Sequence, residues 1–228
     1  MTEPPNEPKV EAAAALLKGA VSAIPFVGGI IAEVGNLYLN PLERRKQRWM
    51  AQVSSALTVI HERFALVPTD LEANERFISF LYQTTMLALQ SHQQAKLEAL
   101  KHALIASVGT SQVSEDVSFQ FLRYIDELTP THLTILSELA VHAARFAECK
   151  SLEQVYSEVQ SLLGESLDRS AFRAFLHDLD SRFLLRIGDI HDFPEYQSKL
   201  DFMALESSTM RSLEVTPLGR SFLSFIHQ

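Results

Sequence analysis

Residues 212–226 read SLEVTPLGRSFLSFI, and this stretch predicts a short strand, a sharp turn and a closing helix. The strand-like run begins at Met210 and ends at Val215. Thr216-Pro217 then supplies a helix cap and a first-turn proline, a position where the missing N–H of proline costs nothing. The helix beyond carries apolar residues at helical spacing: Leu218, Phe222, Leu223 and Phe225. We therefore expect the last helix to bury one face.

Three helices and a first strand are predicted upstream of this ending. Thr129-Pro130 opens the first helix, which we expect over His132–Arg145. A capping-box spacing opens the second helix at Ser151, and Asp168 caps the third. The run Phe183–Ile187 is strand-like, and a polar loop separates it from the second strand. The helices of this region should share one core: Phe172, Phe175, Leu179, Leu218 and Phe222.

The order helix, helix, helix, strand, loop, strand, helix resembles a bacterial winged-helix domain over residues 129–228. The phrase SLEVTPLGRSFLSFI is similar to the strand and closing helix of such proteins. The whole chain, with an apolar start, a helical middle and this ending, is also similar to uncharacterised bacterial proteins linked to stress or phage defence. The resemblance implies a binding protein of bacterial origin.

A winged helix that binds DNA places its third helix in the major groove and supports it with phosphate contacts. In this sequence the readers would be Arg169, Arg173 and Arg182. Three aspartates share the same element, and the loop between the strands is acidic, so phosphate would be repelled. We therefore expect this domain to contact protein, with a DNA-binding transcriptional regulator as the alternative.

The middle of the chain reads as a helical bundle. Four stripes of apolar residues recur at spacings of three and four, as on buried helix faces. The stripes begin at Trp49, Phe77, Leu97 and Phe119. Pro68 should break the first helix, Gly109 should end the third, and Ser114 should cap the fourth.

These elements predict a mainly α fold with three parts. Residues 1–10 are rich in proline and are expected to be a disordered lead-in. Residues 11–128 are expected to hold an apolar helical hairpin and the helical bundle. Residues 129–228 form the winged-helix-like domain with a small two-stranded wing.

An apolar segment, AAAALLKGAVSAIPFVGGIIAEVGNLYLN at residues 12–40, opens the chain. A membrane-spanning helix needs about 20 consecutive apolar residues, whereas the uncharged run from Gly19 to Ala32 is shorter. Pro25 interrupts this run, and proline inside a helix kinks or ends it. We therefore predict two short helices, roughly over residues 7–24 and 27–39, hinged at Pro25.

This hairpin needs a partner for its apolar side chains, and the sequence is compatible with three kinds of partner. The hairpin can fold into the core of its own chain, associate with another copy or another protein, or insert reversibly into a membrane. A basic cluster follows it directly and would suit an anionic membrane surface. The residues predicted for self-association or membrane contact are Ile24, Phe26, Val27, Ile30, Ile31, Arg44, Arg45, Lys46, Arg48 and Trp49. We rank self-association ahead of membrane contact.

Composition and motifs point away from catalysis. The chain has 228 residues and a formal net charge of −8, which disfavours broad attraction to nucleic acid. It lacks the common phosphate-binding, metalloprotease and serine-hydrolase motifs. One histidine–aspartate cluster, around His177 and His191, has no recognised metal-ligand spacing. Cys149 is the sole cysteine, which fits a reducing compartment. We therefore predict a non-enzymatic protein with no cofactor or metal, cytoplasmic or peripheral at the inner face of the membrane.

Overall fold

The computed structural model describes residues 39–109, 113–164, 167–188 and 213–227. Within these residues the protein is mainly helical, with 79% of positions in ten helices and one two-stranded antiparallel sheet. The predicted mainly α class is therefore confirmed. The predicted lead-in and apolar hairpin, with Ile24, Phe26, Val27, Ile30 and Ile31, lie outside the described residues.

The described chain divides into two compact units. Unit 1 holds the helices up to Glu127 together with the last residues from Phe225, and unit 2 is Leu128–Ser224. The helices of unit 1 are α1 (Leu39–Phe64), α2 (Pro68–Glu72), α3 (Glu75–Gln90), α4 (Gln94–Val108) and α5 (Glu115–Glu127). The elements that follow are α6 (Pro130–Val141), α7 (Ala143–Ala147), α8 (Leu152–Leu163), α9 (Arg169–Ser181), β1 (Leu185–Ile187), β2 (Leu213–Val215) and α10 (Pro217–Ile226).

Unit 1 is organised around α1, which packs most extensively on α4 and α3. Its buried stripe is Trp49, Val53, Ala56 and Ile60. Residues 91–93 connect α3 to α4, and Ser114 caps α5 as predicted. Phe225, in the last turn of α10, belongs to this unit and packs edge-on against Phe121 at a ring-centroid distance of 5.3 Å.

The connection between α1 and α3 contains a short helix that the sequence pattern did not predict. The first helix ends at Phe64, ahead of Pro68 as predicted, and Pro68 begins the short helix α2. Asn74 then caps α3 by accepting a hydrogen bond from the Phe77 N–H at 3.0 Å. The sequence does not single out Asn74, because Thr69 and Asp70 are equally suitable capping residues upstream, and the structure places both within α2.

Unit 2 begins with a capping box at the start of α6. The N–H of Thr129 donates to Nδ1 of His132 at 3.1 Å, and the Thr129 hydroxyl faces the backbone N–H of His132. The helix predicted over His132–Arg145 is two helices, because the backbone of His142 leaves the helical region at φ −104° and ψ 30°. Ser151 and Asp168 cap α8 and α9 as predicted, and Gly164 ends α8 at a φ of +65°.

The strands β1 and β2 pair antiparallel, with Leu185 opposite Val215 and Ile187 opposite Leu213. Their side chains alternate, so these four apolar residues face inward while Arg186 and Glu214 face solvent. Phe172, Leu179 and Phe222 are fully buried. Phe175 and Leu218, which were predicted to join this core, are only half-buried.

No helix among the described residues is long and apolar enough to cross a bilayer. The apolar run from Gly19 to Ala32 lies outside the part of the chain to which this finding applies.

Candidate functional site

Phe183 follows α9 in a backbone conformation that bulky residues rarely adopt. Its φ is +58°, in the left-handed region, and its side chain is 72% exposed. The Phe183 N–H donates to the Asp180 carbonyl at 2.9 Å, and the Leu184 N–H donates to the Leu179 carbonyl at 3.1 Å. This pair of bonds is the Schellman pattern that ends many helices, in which the left-handed position is usually glycine.

The cap of α10 holds this conformation in place. The hydroxyl of Thr216 donates to the Phe183 carbonyl, and the Thr216 N–H donates to the Leu184 carbonyl at 3.2 Å. The same hydroxyl accepts from the Gly219 N–H at 2.9 Å, which caps α10. These bonds join the end of α9 to the start of α10, so the backbone that carries the exposed ring of Phe183 is fixed.

A solvent-open groove of about 480 Å³ lies beside this ring, entirely within unit 2. Its apolar lining comes from Phe183, Leu185, Pro217 and Leu218. This volume is within the range of roughly 300–1,000 Å³ that is usual for ligand sites. The groove is therefore large enough to receive apolar side chains from a binding partner.

Two charged residues also line the groove, and they differ in burial. Asp180 is 4% exposed, and its Oδ1 accepts a hydrogen bond from the Ile187 N–H at 3.2 Å, so this carboxylate is part of the fold. Arg186 is exposed on β1, opposite Glu214. Among the described residues no carboxylate lies within 4.0 Å of Arg186.

The arginines predicted as DNA readers lie on or just after α9, and two of them meet protein carboxylates. Arg169 pairs with Glu153 of α8 at 2.8 Å, and its guanidinium stands 5.3 Å from the centre of the Tyr156 ring. Arg182 donates to Asp178 at 3.2 Å. Arg173 also has an interaction partner within the structure. These contacts compensate part of the positive charge of α9, which is the helix that would have to face phosphate in a DNA complex.

The basic cluster lies on the first turns of α1. Arg44 and Arg48 are exposed, and Nε of Arg48 donates to the Arg44 carbonyl at 3.4 Å. Arg45 donates to the carbonyls of Leu89 and Gln90, each at 3.3 Å, and so caps the carboxyl end of α3. Lys46 lies 4.0 Å from Glu43. The structure thus gives Arg45 a bundle-stabilising role and leaves Arg44 and Arg48 at the surface.

Trp49 was predicted both to begin a buried stripe of α1 and to join the contact residues, and the structure places it in the buried stripe. It is 1% exposed, and its indole Nε1 donates to the Thr85 hydroxyl at 3.0 Å. Helical spacing explains the difference, because Trp49 lies on the same face as Val53 and Ile60 and not with the exposed arginines. A contact surface formed by this part of α1 therefore excludes Trp49.

The structure offers no assembled catalytic group at the remaining candidates among the described residues. Burial, with Glu158 as a second cause, raises the pKa of the Cys149 thiol and so disfavours the reactive thiolate. No group of three metal-ligating side chains converges within the described ranges. His191 and the loop aspartates of the predicted cluster lie outside them.

The groove was missed at the sequence level because Phe183 was assigned to the first strand. A signal did exist: Phe183 directly follows the end of an amphipathic helix, at a position that often carries glycine. Local sequence alone does not reveal that its ring is exposed. Comparison with known proteins gives no match to the chain among family models, curated proteins or solved structures.

Proposed function

We propose that the protein is a non-enzymatic interaction protein that associates with itself through its apolar N-terminal segment. Unit 2 serves in this proposal as a winged-helix-like module for protein contact. A place in bacterial stress or phage defence, which the resemblance of the sequence implies, remains a prediction.

The element order of unit 2 supports the winged-helix-like assignment. Helices α6, α8 and α9 precede the antiparallel strands β1 and β2, and α10 closes the series. The short helix α7 is an addition between the first and second of these helices. Because a fold of this kind serves many functions, the function must be argued from the exposed residues.

The observation that carries the proposal is the exposed ring of Phe183 beside an apolar groove. Large aromatic side chains contribute strongly to binding when a partner covers them. This ring is fixed by the bonds that join α9 to α10, so binding would not need to order its backbone. A surface of this kind is suited to an apolar protein segment.

The pairing of the α9 arginines weighs against the alternative, a DNA-binding regulator. Arg169 and Arg182 would have to exchange Glu153 and Asp178 for phosphate. We therefore expect weak or absent specific binding to duplex DNA at physiological salt. A selection from random duplexes tests this expectation. Recovery of one clear sequence motif, lost in Arg169→Ala, would favour the regulator.

The self-association is tested by measuring the mass of the full chain in solution across a range of concentrations. We expect a species larger than the monomer, and we expect Phe26→Asp to shift it toward the monomer because a charge would enter the apolar contact. Tyr82→Asp is the matched control, since Tyr82 is a partly exposed aromatic residue on α3. A full chain that stays monomeric at high concentration would contradict self-association.

Reversible contact with an anionic membrane is the second candidate, and the basic cluster favours it. Arg44 and Arg48 are exposed and lie one turn apart on α1, so their guanidinium groups could contact lipid phosphate. Basic side chains near an anionic membrane surface contribute about 1 kcal/mol each to binding.

A further inference from the structure

We infer that the groove beside Phe183 receives residues 19–33 of a second copy of this chain. This inference rests on the proposed self-association and names the receptor for the apolar segment. Each copy would donate a segment and accept one, so a closed dimer could satisfy both sites by symmetry.

The residues that line the groove indicate the chemistry of its occupant. Phe183, Pro217 and Leu218 offer apolar surface, whereas Leu185 is buried, and the only exposed charge among the residues that line the described groove is Arg186. A suitable occupant is therefore apolar along most of its length and carries one carboxylate. Burying apolar surface of this kind contributes roughly 25 cal/mol per Å² before the costs of association are subtracted.

The chain itself contains a segment of that composition. Residues 1–38 precede the described structure, and the run from Gly19 to Ala32 within them has no charge. Phe26 and its aliphatic neighbours can fill an apolar groove. Glu33 follows the run at once, and its carboxylate would complement Arg186.

The backbone of Phe183 supplies an independent reason to assign a binding role here. A left-handed conformation costs a non-glycine residue roughly 1–2 kcal/mol, and the 72% exposed ring gains little from burial. Glycine would satisfy the same helix end without this cost. A strained and exposed aromatic residue is explained if its ring contributes to an interface.

The first test compares Phe183→Gly with Val141→Ser in the full chain. Both positions are in unit 2 and both side chains are 72% exposed, but Val141 does not line the groove. By sedimentation we expect Phe183→Gly to raise the dissociation constant of the assembly at least about tenfold, as for an interface hot spot. We expect Val141→Ser to leave it unchanged.

The second test locates the occupant. Benzoylphenylalanine in place of Phe183 keeps a phenyl ring and forms a cross-link to neighbouring C–H groups on illumination. Copies that carry the probe are mixed with isotope-labelled copies, and the cross-linked peptides are identified by mass spectrometry. We expect cross-links from the probe to residues 19–33 of the labelled copy.

The possible outcomes separate this inference from the proposed function. If the full chain does not self-associate, the proposed function fails, and this inference fails with it. If the chain self-associates but Phe183→Gly assembles as tightly as the wild type, the groove is not the receptor and only this inference is overturned. Cross-links confined to one chain, or to residues outside 19–33, would also overturn it.

Discussion

At the scale of single residues, Phe183 adopts a left-handed backbone conformation that bulky residues disfavour. The Schellman bonds and the hydroxyl of Thr216 determine the backbone around it, so the φ of +58° persists without glycine. One of these restraints comes from Thr216, 33 positions away in sequence. The strained backbone of Phe183 lowers the free energy of unfolding but does not change the geometry of the site.

Phe183→Gly should therefore stabilise unit 2 or leave it unchanged. Relief of about 1–2 kcal/mol of backbone strain is partly offset by the greater freedom of glycine in the unfolded chain, roughly 0.5–1 kcal/mol. We expect a net gain of about 0.5–1 kcal/mol in urea unfolding, measured at a concentration where the protein is monomeric. A loss of more than 1 kcal/mol would mean that the ring packs in the fold itself.

Glu98 accepts hydrogen bonds from three side chains and links α1 to α4. Lys101 approaches it at 2.7 Å, Gln52 at 2.8 Å and Gln94 at 2.9 Å. The Lys101 hydrogen bond is the main cause that lowers the pKa of Glu98, and the amides of Gln52 and Gln94 add to it.

Because the pKa of Glu98 is lower in the folded state, its contribution is present above the unfolded pKa, near 4.3, and is lost as pH falls through the folded value. Glu98→Gln should lower the free energy of unfolding at pH 7 by about 0.5–1 kcal/mol, since the group is partly exposed. The difference from wild type should shrink below about pH 4. A difference that stays constant from pH 7 to pH 3 would contradict this account.

At the scale of elements, the contact between the start of α10 and the end of α9 depends on a glycine. A Cβ built on Gly219 would lie 2.0 Å from the Leu184 carbonyl oxygen, which is backbone and cannot turn aside. Gly164 offers a contrast, because its φ is +65° but nothing lies within 4 Å of a built Cβ.

Gly219→Ala should therefore destabilise unit 2 by about 3 kcal/mol or more, the upper part of the range for overpacking. Gly164→Ala is the control, with an expected loss of about 1 kcal/mol from the left-handed backbone alone. Thermal or urea unfolding of both variants measures the difference. Equal losses would show that α10 moves away from Leu184 at little cost.

At the scale of the whole molecule, the two proposed contacts of the apolar segment predict different responses to charge. Reversal of Arg44 and Arg48 to glutamate should weaken binding of the full chain to vesicles that contain phosphatidylserine, as added salt should. The same change should leave self-association almost unaffected. Vesicle flotation and sedimentation measure the two effects, and unchanged flotation of the reversed variant would contradict a role of the basic cluster in lipid contact.

The sequence by itself determined much of the local structure. The caps at Ser114, Thr129, Ser151 and Asp168 were predicted because a cap is formed by residues only three positions apart. The two strands were found from their short apolar runs, to within a few residues at their ends. The positions of most buried stripes followed from helical spacing for the same reason.

Only the tertiary structure decided what these elements expose. The buried indole N–H of Trp49 is paired with the hydroxyl of Thr85, 36 residues away, and Arg169 is paired with Glu153 of a different helix. The exposed ring of Phe183 and its groove depend on Thr216 from beyond the second strand. Contacts between residues so far apart in sequence exist only after the chain has folded, so local sequence patterns do not predict them.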